Sequence, residues 1–284
     1  MSGADNAGRA PRPIWLCADD YGIAPGVNTA IRELIVQGRL NATSVMVAAP
    51  GFQRSDAVSL GILNSGERRV AIGLHVTLTA PFKPLSANYR PLREGAFLPL
   101  QEMLRAALLR RLDRGRLAME IATQLKAFVT AFGRAPDFVD GHQHVQLFPQ
   151  VREALLTVVK EAAPTAWVRQ CGRAAPLHRR VEGKTLLLDL LSHTFRRRAR
   201  ALGLRSNPAF AGAYDFRGEP DYAALFPRFL ENLPAESLVM CHPGFVDDEL
   251  TRLDPLTAQR EREYAFLAGD AFPRALAVHG LALA

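Results

Sequence analysis

The run Ile14-Trp15-Leu16-Cys17-Ala18 stops abruptly on Asp19-Asp20 and then on Tyr21-Gly22. A short apolar run bounded by turn residues reads as a buried strand. Side chains alternate across a strand, but where the chain turns at its end two neighbouring acids can face one cavity. Two carboxylates so close together are costly unless a cation or a proton lies between them. A solvated turn with a helix-capping Asp is the plain alternative. Against it stands recurrence, because three more apolar runs carry the same kind of residue. Residues 70–79 contain His75, residues 137–145 end in Asp140-Gly141-His142-Gln143-His144, and residues 237–244 end in His242-Pro243-Gly244.

Helical spacing separates these runs. Pro25 suits a first helical turn, Val27, Ala30, Ile31, Leu34 and Ile35 repeat on one face, and Gly38 marks the stop. Residues 43–47 read as a strand and 52–65 as a helix. Residues 100–132 read as amphipathic helix broken near Gly115, and 149–162 as a helix. Residues 166–169 are a short strand ending on Arg169, 186–204 a helix and 208–214 a short strand. Residues 221–233 and 256–277 are helical, and 280–284 supply a final strand. Residues 81–100 are irregular and proline-containing, the pattern of a cleft wall or lid. Strands alternating with helices predict an α/β fold with a parallel sheet. In a parallel β/α barrel all strand C-terminal ends share one face, which gathers the acids and imidazoles in one place.

Composition removes several other classes. No run approaches the ~20 apolar residues of a membrane helix. Residues 1–12 are small and polar without the apolar centre of a signal peptide, and read as a disordered leader before one domain over 13–284. Three cysteines, Cys17, Cys171 and Cys241, are too few and too apolar in context for a disulfide framework, so a cytoplasmic protein is expected. The net charge of +7 comes mainly from arginine, with clusters at 105–116 and 196–205. Neither cluster is interleaved with aromatics, so solvated helix faces are expected and not a nucleic-acid surface.

An Asp/His/His set offers three ligands to a metal and leaves a position open, the composition of a hydrolytic site. A second acid is then available as a base, and a histidine from another strand as a proton donor. The segments Ala18-Asp19-Asp20-Tyr21-Gly22, Gly73-Leu74-His75-Val76-Thr77-Leu78, Asp140 to Val145 with Phe148-Pro149, and His242-Pro243-Gly244 together resemble the YdjC-like carbohydrate deacetylases, in that family's order. The resemblance implies a distorted TIM-like (β/α) barrel and a metal-dependent hydrolase that removes acetyl groups from N-acetylated sugars or glycolipid-type substrates. By position it implies Asp20, His75 and His142 as ligands of one divalent metal ion, Mg or Zn. It implies Asp19 as general base and His242 as general acid. Similarity to polysaccharide deacetylases adds Arg169 as the residue orienting the base, and relatives imply a homodimer. Two positions depart from the pattern: Gln146 stands where relatives often have a histidine, and Cys17 where an asparagine is common. The rival readings are another metal-dependent amidohydrolase or phosphoesterase on the same barrel, and a non-catalytic sugar-binding protein.

Overall fold

The computed structural model describes residues 10–64, 69–174, 183–216 and 220–284. Residues 1–9 of the expected leader lie outside the described residues, and Arg12 already opens the first strand. All eight expected strands form: β1 (Arg12–Tyr21), β2 (Ala42–Val45), β3 (Ala71–Val76), β4 (Phe138–Gly141), β5 (Trp167–Val168), β6 (Phe210–Ala211), β7 (Leu238–Cys241) and β8 (Leu281–Leu283). Between and after them run α1 (Pro25–Val36), α2 (Arg54–Leu63), α3 (Leu100–Leu108), α4 (Arg114–Phe132), α5 (Val151–Ala162), α6 (Gly183–Ala201), α7 (Tyr222–Phe229), α8 (Asp248–Leu253), α9 (Ala258–Ala268) and α10 (Ala271–Val278).

Every strand pairing is parallel, in the order β5-β4-β3-β2-β1-β7-β6. The two edges then meet. Val168 bridges Ser206, its N–H donates to the Arg205 carbonyl at 2.9 Å, and the Phe210 N–H donates to the Gly172 carbonyl at 2.9 Å. Seven strands therefore curl into a distorted barrel in sequence order. Among the described residues β8 pairs only with the start of β1, at Arg12, Pro13 and Ile14, so it belongs to the base. Leu16 to Tyr21 are buried on both faces of β1, as a helix-covered parallel sheet requires.

Local chemistry accounts for most helix boundaries. α1 starts on Pro25, whose missing N–H costs nothing in a first turn, and buries the five residues whose spacing predicts it. Asp113 caps α4 by accepting from the Gly115 and Arg116 N–H groups. The break therefore comes before Gly115, which lies inside the helix. Residues 256–277 divide into α9 and α10 around Gly269-Asp270. α8 was not expected, because it buries only Leu250 and so has no apolar period to read; Asp247 caps it.

The irregular stretch 81–100 is well packed. Phe82, Tyr89 and Phe97 are buried, and Glu120 of α4 accepts from the Leu85 and Ser86 N–H groups and the Ser86 hydroxyl. Arg196, Arg197, Arg198 and Arg200 are exposed on α6, as a solvated helix face predicts, and Arg205 is exposed beyond its end. All three cysteines are free and buried, and no described helix is long and apolar enough to cross a membrane.

Candidate active site

Strand ends bring the predicted residues to one mouth of the barrel. Asp19 and Asp20 close β1, His75 is next to last in β3, Asp140 lies in β4 with His142 just after it, and Arg169 and His242 directly follow β5 and β7. β3 stops at Val76, earlier than expected. Gln124 of α4 accepts from the Thr77 N–H at 2.9 Å and donates to its carbonyl at 2.8 Å, replacing a strand partner. His75 is thus a strand-end residue like the others, and it pairs in register with Asp140.

Alternation alone would send Asp19 and Asp20 to opposite faces. A β-bulge changes this: three residues of β1 from Ala18 to Tyr21 advance against two of β2. Asp20 sits at φ 69, a left-handed conformation that costs a non-glycine residue on the order of 1 kcal/mol. Strain of this kind persists only where surrounding contacts hold it.

Asp20 Oδ1 lies 3.3 Å from His75 Nε2 and 3.0 Å from His142 Nδ1. One donor atom from each of the three lies within 4.8 Å of the other two, and all three residues are buried. The other His75 nitrogen, Nδ1, is 2.5 Å from Asp140 Oδ1 and 3.0 Å from the Ser44 hydroxyl. That is the carboxylate–histidine arrangement that orients a metal ligand. Burial opposes a charged ring at His75, but Asp140 and Asp19 outweigh it and hold the group up to about 10. The cluster thus attracts positive charge, which a proton or a cation can supply. One carboxylate oxygen and two imidazole nitrogens suit Zn²⁺, Co²⁺ or Fe²⁺ better than Mg²⁺, which prefers oxygen. The phenyl ring of Phe82 meets His142 edge-on at 5.6 Å, so the 81–100 segment forms part of the wall.

Asp19 belongs to a neighbouring cluster. Arg169 grips both its oxygens at 2.7 Å and also lies 3.1 Å from Asp140 Oδ2. Such two-point pairing fixes direction as well as charge. Ser44 and the Cys17 thiol also approach Asp19, at 3.1 and 3.4 Å. Burial pushes the Asp19 carboxyl up, but the Arg169 guanidinium outweighs it and holds the group well below the usual carboxylate range. Burial raises Cys17 strongly, so its thiol stays neutral.

His242 is half-buried, meets Phe216 edge-on at 5.5 Å, and has an Nδ1 without a hydrogen-bond partner among the described residues. Burial, with Arg260 and against Asp20, pushes the ring down to about 4. It is therefore neutral at pH 7, which qualifies the expectation of a ready proton donor. Its backbone N–H donates to Glu263 Oε2 at 2.6 Å, and Tyr214 donates to Glu263 Oε1 at 2.5 Å. His144 stands apart from the ligand trio, 3.5 Å from the Cys171 sulfur and edge-on to Phe210.

Four residues of the mouth escape sequence reasoning: Ser44, Asp254, Arg260 and Glu263. Arg260 is fully buried in α9, and its Nη2 lies 2.7 Å from Asp20 Oδ2 and 2.9 Å from Asp254 Oδ2. Arg260 and Glu263 share a buried face with Leu267, a face that the Arg- and Glu-rich sequence of α9 does not mark. Ser44, inside a β-prone run, gave none.

A family model described as YdjC-like protein matches residues 13–278. A chitooligosaccharide deacetylase of Serratia marcescens is 32% identical over 278 residues, covering 89% of this chain and 95% of the relative. One from Escherichia fergusonii is 29% identical over 266 residues, covering 87% and 91%. A solved Enterococcus faecalis structure, described as a proposed cellobiose-phosphate cleavage protein, matches 97% of both chains with a TM-score of 0.74. At 20% identity that likeness concerns the fold.

Proposed function

The chain belongs to the YdjC-like family, and from that premise we propose that it is a carbohydrate N-deacetylase, a hydrolase that removes acetyl groups from N-acetylated sugars such as chitooligosaccharides. Support comes from relatives named for that activity over nearly the whole chain. The observation that carries the reading is the convergence of Asp20, His75 and His142 beside an Asp19 clamped by Arg169.

In this proposal Asp20, His75 and His142 hold one divalent ion. When bound, it would polarise the acetamido carbonyl and lower the pKa of water. Asp140 and Ser44 orient His75 from behind. Arg169 keeps Asp19 ionised and aimed, and Asp19 takes a proton from the attacking water as oxygen bonds to the acetyl carbon. Held so far below the usual carboxylate range, Asp19 does not retain that proton. His242 starts neutral, its ring pushed down by burial. It receives the proton and passes it to the sugar nitrogen as the C–N bond breaks, leaving a free amine and acetic acid, which gives up its remaining proton to bulk water as acetate. The proton taken from water is the one the leaving amine gains.

The test is acetate release from N-acetylglucosamine oligomers, with and without chelator, beside phosphate esters. Release from the amides alone, lost on chelation, is expected; turnover of the phosphate esters alone would overturn the assignment. His242→Ala should slow amide hydrolysis by ~10²–10⁴-fold while activated aryl acetates, whose leaving groups need no proton, lose far less. Equal losses on both would count against His242 as the donor.

A further inference from the structure

We infer that Arg260 is a positioning residue for the metal site. It occupies Oδ2 of Asp20, leaving Oδ1 as the single carboxylate oxygen turned to the ion. The inference rests on the reading of Asp20, His75 and His142 as the ligands.

The geometry is specific. Asp20 Oδ1 faces both imidazoles, at 3.3 and 3.0 Å, while Oδ2 lies 2.7 Å from Arg260 Nη2. The two oxygens are thus divided between the ligand trio and the arginine. A carboxylate free at both oxygens can bind an ion through either one or through both; a carboxylate held at one has a single direction left. Arg260 reaches this place from α9 and is itself fixed: its Nε donates to the Leu256 carbonyl at 3.0 Å, and Asp254 lies 2.9 Å from the same Nη2 that meets Asp20.

The His242-Pro243-Gly244 turn packs against this side chain and against Val27 of α1. A Cβ at Gly244 would lie 2.9 Å from Val27 Cγ2 and 3.3 Å from Arg260 Cδ, closer than side-chain carbons ordinarily pack. The Gly244 N–H donates to the Arg260 carbonyl at 3.2 Å. The glycine thus admits the arginine and ties α9 to the end of β7. This accounts for a feature of the motif that proton transfer by His242 does not need.

A guanidinium beside a metal ligand has two opposed effects. Its charge repels a cation, and its hydrogen bond orders the ligand. Asp254, on the same nitrogen, offsets much of the charge, so ordering wins. Losing an outer-shell partner of a metal ligand typically costs ~10–100-fold in affinity.

The experiment is titration of the full chain with Zn²⁺ against a chromophoric chelator, for wild type, Arg260→Gln and Arg260→Lys. Arg260→Gln should bind zinc ~10–100-fold more weakly with one ion per chain retained, and Arg260→Lys, which keeps a charged donor, should recover most of the loss. Unchanged or tighter binding by Arg260→Gln overturns the inference, as does an equal loss in Arg260→Lys. Should Arg260→Gln fail to fold, zinc X-ray absorption on the wild type decides: Asp20 bound through one oxygen supports the inference, and binding through both overturns it. A wild type that binds no zinc refutes the ligand reading itself, which separates that failure from this one.

Discussion

At the mouth of the barrel Asp19, Asp20, Asp140, Arg169 and Arg260 are at most 1% exposed, and each acid meets an arginine within 3.1 Å. At the base, Arg39, Arg69, Arg134 and Arg205 line a cavity of about 1260 Å³ that Trp15 and Trp167 also border. There the Arg69 side chain is 79% exposed and meets Asp137 at 3.4 Å. The residue types are the same and the solvent is not. An exposed pair of this kind is worth about 0–1 kcal/mol, whereas breaking a buried one typically costs about 3–5 kcal/mol because it strands a charge away from water. The mouth thus places its charges where direction and protonation are fixed. At the base Arg69 stays hydrated, and its pairing with Asp137 contributes little.

The sharpest break of this comparison is Asp19→Asn, which keeps shape and removes the charge. Acetate release should fall by ~10²–10⁴-fold while bound metal is retained. Near-normal turnover would move the base elsewhere. Next comes Glu263, which burial pushes up to about 7. Its folded form holds a proton that the unfolded chain releases at lower pH, so the native state binds more protons between about 4.5 and 7. Stability from this group is therefore complete below that window and lost as pH rises through it, on the order of 3 kcal/mol in all. Chemical denaturation across that range should show the decline, and Glu263→Gln should flatten it. A slope unchanged by the substitution would refute the assignment.

Asp140→Asn leaves His75 with a weaker partner and should loosen zinc by ~10–100-fold in a chelator competition. The smallest effect belongs to the base. Arg69→Ala should change stability by less than about 0.5 kcal/mol and leave turnover alone. A loss comparable to that at the mouth would erase the distinction between the two ends.

Much of the mouth was legible because its residues end apolar runs. Asp20 and His142 stand where a strand-like segment stops, His75 lies inside its run, and parallel topology brings all three to one end. What stayed hidden depends on tertiary contact. The bulge that turns Asp20 toward the imidazoles follows from pairing with β2, which no local pattern announces. Arg260 sits among Arg and Glu neighbours in α9, so its helix reads as a wet surface until packing shows which face is inside. α8 buries a single leucine and gave no period, and the early end of β3 was decided by Gln124 from another element. The neutral state of His242 likewise reflects burial and the nearby Arg260, which a strand-end histidine does not reveal.

The account depends on one ion shared by three side chains from different strands. Anomalous diffraction from a zinc-soaked crystal at the zinc edge measures this directly. The prediction is one strong peak per chain, within bonding distance of Asp20 Oδ1, His75 Nε2 and His142 Nδ1. A peak elsewhere, or none beside these atoms in a crystal of active protein, would contradict it.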